Sequence, residues 1–587
     1  MKNKACCWIL VAFGVFVLLG FIGTGILVST VAMSGTHKVT VKDHSYLLLE
    51  CTGTIPEYST APQFAFLGGS KQTTIADALK ALHSAASDSR ISGVIIRPTA
   101  IGGFAEIREL RNALLEFKKS KKPVYAHLEV ATDRDYYLAS VADTISLTPT
   151  RSGGLAMLGL GIESTYLGKT FEKVGIIFHT LHIGQYKGAY ENLSQDSMSV
   201  PLRKSLQTLL DDLYQTYTTE IVAARPSLSA ATVNDELLNG RKLFLVGQEA
   251  KDKGFVDLTL DWQDLKDKLS GDKDLHTVTP SRYNKVASAK TEGSKEIAVL
   301  FAEGEINYNS SNDNSLSLDD GITPDAFIKQ LRDLRRDDDV AAVVLRVNSP
   351  GGSALASDLI LREVKRLKEK KPVIVSMGNV AASGGYYISC AGNRIIAQPN
   401  TITGSIGVVS LFPTAEGLYK KIAARVETVE KGKWYFYFRP DKGLTEPQKA
   451  VLLDYMKGIY DEFVTHVAEG RNMSVDSVAA VAEGRVWTGN QALEYRLVDE
   501  LGGLDVAIER AKEFGHVQGQ TVRVRYYPRE KDIVSFIIGQ FDMTVRSIRE
   551  AWLLTPDARE MSRALTYLSH FVQQREFVQA VLPIEIP

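Results

Sequence analysis

The chain has 587 residues, 44% apolar and 23% charged, an ordinary globular composition with room for more than one core. Its 68 basic and 69 acidic side chains leave a net charge of -1, so no basic excess points to a nucleic-acid partner. Four cysteines are too few for a disulfide framework, and no CxxC or Cys/His cluster suggests a metal site.

The first element in chain order is apolar. Ala5 to Met33 carries no charge. At about 1.5 Å per residue, a helix of that length exceeds the roughly 30 Å of a bilayer core. Residues 1–37 are therefore expected to form one transmembrane anchor. The alternative is a cleavable signal peptide, whose apolar region is usually only about 7–15 residues. Lys2 and Lys4 precede the span and Lys38 and Lys42 follow it, so the charge contrast that sets orientation is weak. A very short N-terminal tail ahead of a large domain favours export of that domain.

The rest of the chain reads as a duplication. "GVIIRPTAIGG" from Gly93 is matched by "AVVLRVNSPGG" from Ala342, and "KKPVYAHL" from Lys121 by "KKPVIVSM" from Lys370. Tyr136-Tyr137 matches Tyr386-Tyr387, Pro149 matches Pro399, and "FHTLHIGQYK" aligns with "VETVEKGKWY". Late in each copy, "GQEAKDKGFVD" matches "GNQALEYRLVD". A nearly constant offset over so many landmarks means two copies of one domain. Each copy alternates β-branched runs, such as Val94-Ile95-Ile96, with charged helical stretches, which predicts βα units and a mainly parallel sheet. Thr323-Pro324-Asp325 reads as a helix start, with Thr at the N-cap and Pro at N1. The polar stretch at 276–295 is expected to link the copies. Asn309 to Gly321 lacks an apolar period and reads as a loop. From 529 to 587, mixed apolar and charged residues at helical spacing predict a C-terminal helical extension of unassigned role.

Three Gly-rich stations follow strands in the second copy. "NSPGGS", from Asn348 to Ser353, lets the backbone approach a ligand and present N–H groups, or is a plain turn. "GNVAASGGYY" places Ser383 at a strand-to-helix turn, where its Oγ is exposed for attack; close helix packing also uses small residues. "TGSIG" carries Ser405, in a tight turn with a capping hydroxyl or near the chemistry. None of the 10 histidines falls in these stations, and His182 in an apolar run reads as structural. There is no GxSxG, HExxH or P-loop, and no cofactor is expected. A lysine serves as base only when neutral, and with an ordinary pKa near 10.4 only about one amine in 2500 is neutral at pH 7. Burial disfavours the ammonium and raises that fraction. Lys187, after Tyr186 and "IIFHTLHIG", has a suitable setting; a solvated lysine at a strand end is the alternative.

The duplication changes that balance. Tyr435 stands where the second copy would match Lys187, and Asp133 stands where the first would match Ser383. One copy keeps the serine and loses the lysine; the other does the reverse. A composite site shared by both copies would leave that pattern behind.

"RVNSPGGS", "SMGNVAASGGYYIS", "NTITGSIGV" and "GRVWTGNQA…LVDELG" resemble the signal peptide peptidase A family, and the duplicated length behind one anchor is similar to its long form. The resemblance implies an α/β chain of tandem ClpP/crotonase-like domains behind one N-terminal transmembrane helix. With the duplication it puts the repeats at 38–275, carrying the lysine, and 296–528, carrying the serine, behind the anchor at 1–37; the extension at 529–587 carries no motif of the family. It further implies a serine endopeptidase with Ser383 as nucleophile and Lys187 as general base. Gly352 and Gly384 map to the oxyanion donors and Ser405 to a second serine beside the dyad. Expected partners are peptides, namely released signal peptides and apolar unfolded segments, together with the membrane and three further copies in a homotetramer. The implied location is the bacterial inner (cytoplasmic) membrane, with the catalytic part on the periplasmic side. Two other classes stay open: a crotonase-type enzyme on acyl thioesters, which would have no lysine near Ser383, and a non-catalytic membrane scaffold.

Overall fold

The computed structural model describes residues 40–59, 73–240, 242–271, 274–287, 293–308, 321–432, 435, 437–529 and 579–581. The apolar segment Ala5–Met33, most of the loop from Asn309, and most of the 529–587 extension lie outside the described residues. Among the described residues, no helix is long and apolar enough to cross a membrane.

The first copy supplies β1 (Ser45–Thr52), β2 (Ile91–Thr99), β3 (Val124–Leu128), β4 (Val130–Thr132), β5 (Thr144–Leu147), β6 (Gly154–Ala156), β7 (Ile177–Ile183) and β8 (Thr277–Val278). Five of these form a parallel sheet in the order β5–β3–β2–β1–β8. Val94, Ile95 and Ile96 sit fully buried in its centre, as a parallel strand covered on both faces requires. Helix Ile75–Ser87 starts where the Thr74 hydroxyl accepts from the Asp77 N–H at 3.0 Å. Helix Phe104–Lys118 packs Ile107, Leu110 and Leu114 into the same core. Part of the stretch expected as a linker packs on this copy too. β8 extends the sheet, and helix Pro280–Ala287 buries Tyr283, whose hydroxyl donates to Asp88 at 2.9 Å.

The second copy supplies β9 (Lys295–Glu303), β10 (Val340–Ser349), β11 (Gly351–Ser353), β12 (Val373–Ala382), β13 (Arg394–Ala397), β14 (Ile402–Gly404), β15 (Val408–Thr414), β16 (Val486–Thr488), β17 (Glu500–Leu501) and β18 (Val522–Tyr527). Its parallel run β13–β12–β10–β9 repeats the order β5–β3–β2–β1 of the first copy, so the duplication read from the landmarks is a duplication of α/β topology. The sheet continues through β18 at one edge and through β14 and the antiparallel β16 at the other. Helix Pro324–Arg336 begins after Thr323 as expected, although the Thr323 hydroxyl makes no capping bond. Helix Ala354–Lys368 is capped by Ser353, whose hydroxyl accepts from the Ala356 N–H at 2.9 Å.

Among the described residues, a strand pairing and a buried ionic cluster are prominent among the features that join the copies. β7 leaves the first copy and pairs antiparallel with β15 along its whole length, from Ile183↔Val408 to Ile177↔Thr414. A short strand from the C-terminal extension, β19 (Gln579–Val581), lies between β15 and β11, completing the order β11–β19–β15–β7. The second feature is ionic. Arg346 on β10 is 0% exposed in its side chain and reaches across to Glu57 at 2.9 Å and Glu109 at 2.6 Å, both in the first copy. Its counterpart Arg97 instead pairs with Glu50 at the surface and lies 4.4 Å over the Trp262 ring. Cys51 and Cys390 are free and buried, and burial pushes both thiols up to about 12.

Candidate active site

The pairing of β7 with β15 decides where Lys187 goes. The turn after β7 is held by the Tyr186 N–H, which donates to the Glu483 carbonyl of the second copy at 2.9 Å. The Tyr186 ring also stacks under the Arg485 guanidinium, 3.8 Å from its centroid. Lys187 is thereby driven into the second copy and is only 1% exposed. Its Nζ donates to the Ser383 Oγ at 2.6 Å, to the Ser405 carbonyl at 2.9 Å and to the Ser405 Oγ at 3.0 Å. All three acceptors are uncharged, so nothing offsets the cost of an ammonium there. Burial pushes the Lys187 pKa well below the ordinary lysine value.

Ser383 sits directly after β12, with φ 56°, at the N-cap of the short helix Gly384–Ser389. That conformation is rare for a residue with a side chain and is held from both sides. The Ser383 N–H donates to the Gly404 carbonyl at 2.8 Å, and its carbonyl accepts from the Tyr387 N–H at 2.8 Å. Ser405 has φ 50° and donates its N–H to the Arg485 carbonyl at 2.7 Å. Both serines are buried.

The two glycines also meet. A Cβ on Gly384 would lie 3.2 Å from the Gly352 nitrogen and 2.7 Å from the Ser357 Oγ, so only glycine lets the loop approach this closely. Gly352 has φ 150°, and a Cβ there would collide with the Ile306 carbonyl oxygen. The Ile306 N–H donates to the Gly351 carbonyl, and the Ile306 carbonyl accepts from the Ser353 N–H. Alternation along β11 therefore turns the Gly352 N–H and carbonyl the other way, toward Ala580 of β19. The slot between β11 and β15 thus holds an extended antiparallel segment beside Gly352.

All five residues singled out from sequence come together. A thioester enzyme was expected to have no lysine near Ser383, and Nζ lies at 2.6 Å. His182 is away from the chemistry, with Nδ1 2.9 Å from the Gly184 carbonyl oxygen. The unused positions have become structural or surface. Asp133 accepts from the N–H groups of Leu158 and Gly159 and from the Tyr217 hydroxyl, at 3.0, 3.3 and 3.1 Å. Tyr435 is 74% exposed. The segment aligned with β7, around Thr428, forms no strand. Sequence reasoning missed β19, the Tyr186–Arg485 stack and the inter-copy cluster of Arg346 with Glu57 and Glu109. The shared offset of Arg97 and Arg346 was visible, but their different fates were not.

The profile of peptidase family S49 matches residues 116–276 and 365–518, once in each copy, and that of Clp protease matches residues 295–403, which include Gly352, Ser383 and Gly384. The chain is 29% identical to "Protease 4" of Haemophilus influenzae over 606 residues, covering 97% of this chain and 96% of that protein. It is 30% identical to "Protease 4" of Salmonella typhi over 567 residues, 91% of this chain and 88% of that protein. It is 35% identical to "Serine protease SPPA, chloroplastic" of Arabidopsis thaliana over 444 residues, 74% of this chain and 64% of that protein.

Proposed function

This chain belongs to peptidase family S49 and is a serine endopeptidase, and from that premise we propose that Ser383 is its nucleophile and Lys187 its general base. The observation that carries the reading is the 2.6 Å contact between Lys187 Nζ and Ser383 Oγ at a lysine whose pKa burial pushes down. Neutral Lys187 takes the Ser383 proton as Oγ attacks an amide carbonyl. Ser405, through its carbonyl and hydroxyl, holds the amine in line. The N–H groups of Gly352 and Gly384 receive the oxyanion. The lysine then protonates the leaving amine, and water releases the acyl group with the same lysine as base.

The substrate class we propose is extended peptide: signal peptides already released from their proteins, and apolar unfolded segments. The slot between β11 and β15 supports this, because it accepts a strand in antiparallel register beside Gly352. The uncharged run Ala5–Met33 supports a single-pass anchor that would hold the site near membrane-released peptides. We assign the catalytic part to the periplasmic side of a bacterial inner membrane, in a homotetramer, by resemblance to the family.

The test is cleavage of a fluorogenic apolar peptide by the full chain, by Ser383→Ala and by Lys187→Ala. Both variants should fold and lose turnover. Retained turnover in either one removes that residue from the mechanism.

A further inference from the structure

The first copy carries a glycine pair of its own, and the helix that begins there is buried against the second copy. Gly102-Gly103 aligns with Gly351-Gly352, and Glu106 aligns with Leu355. Leu355 is 44% exposed, whereas Glu106 is 1% exposed. The Glu106 Oε1 accepts from the Asn348 Nδ2 at 3.0 Å, and the Glu106 N–H donates to the Asn379 Oδ1 at 3.0 Å. Gly103 lies so close that a Cβ there would collide with the Asn379 side chain.

Those two asparagines stand at a break in the central sheet. The parallel ladder of β10 and β12 runs to Val347↔Met377 and resumes at Ser349↔Ala381. Asn348 alone therefore faces Gly378, Asn379 and Val380, and ladder bonds are interrupted there. Side chains take their place: the Asn348 Oδ1 accepts from the Val380 N–H at 3.1 Å, and Glu106 holds the Nδ2 of the same carboxamide. Immediately downstream, β10 leads into the loop of Gly352 and β12 leads into Ser383.

We propose that Glu106, a residue of the first copy, is a positioning residue for the reaction: it fixes the Asn348–Asn379 break and so sets the Gly352 N–H against Ser383. The inference rests on the Ser383 reading above. Glu106 acts through the asparagines and touches no reacting atom. Burial, and after it the Glu57 charge, push the Glu106 carboxyl well above the ordinary carboxylate range, and its Oε2 is buried without a hydrogen-bond partner. What the site needs from residue 106 is one acceptor for the Asn348 Nδ2, which glutamine supplies and leucine, the residue of the other copy, does not.

The experiment compares Glu106→Gln, Glu106→Leu and Asn348→Ala with the full chain on the fluorogenic peptide, with kcat expressed per folded molecule. Glu106→Gln should keep kcat within about 2-fold. Glu106→Leu and Asn348→Ala should lower kcat on the order of 10- to 100-fold with KM nearly unchanged, the scale expected when an oxyanion donor is misplaced rather than deleted. The proposal is overturned if either variant keeps wild-type kcat, if the loss lies in KM or only in the folded fraction, or if Glu106→Gln falls as far as Glu106→Leu. Asn348→Ala decides the matter where the Glu106 variants fail to fold. Ser383→Ala runs alongside: activity there refutes the nucleophile assignment, whereas a dead Ser383→Ala with an unaffected Asn348→Ala refutes only the role of Glu106.

Discussion

At the residue scale the proposed mechanism depends on a lysine that is uncharged. Lys187 Nζ lies within hydrogen-bond distance of three neutral oxygens and is shut off from water; as a neutral amine it donates to two of them and accepts from the Ser383 hydroxyl. That fixes the sign of the pH dependence. Protonation inactivates, so kcat should rise with pH through the lowered lysine pKa and then level, and the midpoint should lie well below that of free lysine. A pH series of kcat checks this; a rate still climbing steeply near the ordinary lysine value of about 10.4 would contradict the burial argument. Lys187→Arg should be inactive at every pH in that series, because a guanidinium cannot serve as base. The candidates were legible in sequence because Lys187 and Ser383 are each retained in the copy where the other is missing. The cause of the lysine's altered basicity was not legible, since it is burial, supplied by the second copy closing over β7.

At the element scale, the slot between β11 and β15 is assembled from strands distant in sequence. β7 pairs with β15 across the copies, and β19 lies between β15 and β11. If β19 occupies the place of a substrate, it competes with one. Ala580→Pro removes the N–H that faces the Gly352 carbonyl while leaving chain length unchanged. Losing one such backbone bond should lower the KM for added peptide by about 2- to 10-fold with kcat unchanged. An unaltered KM in steady-state kinetics would mean that β19 does not compete for the slot. The β-branched runs and the Thr323-Pro324 helix start announced themselves locally, whereas a strand formed by residues 579–581 had no local signal. Its partners are supplied by β11 and β15, which hold residues 579–581 as a strand where the spacing of the extension predicted helix.

At the scale of the whole molecule, the copies are joined through charge as well as through strands. Arg346 is buried between Glu57 and Glu109, with Glu106 close by. Removing the cation leaves carboxylates buried without it, which typically costs about 3–5 kcal/mol. Arg346→Met should therefore lower the free energy of unfolding by about that amount in chemical denaturation. A loss below about 1 kcal/mol would mean that water reaches the cluster. Arg97, at the same place in the repeat, should tolerate the same change far better, because its partner Glu50 is at the surface.

The sequence by itself determined the α/β class, the duplication, the serine and lysine, and the glycine pair beside them. These are local or periodic signals: β-branched runs, Gly-rich turns, and landmarks at a nearly constant offset. Only the tertiary structure decided that the expected composite site closes within one chain, that burial lowers the lysine pKa, and that Glu106 and Arg346 bond across the copies. Those properties depend on which strands pair and what is excluded from water, and neither is a property of residues near one another in the chain.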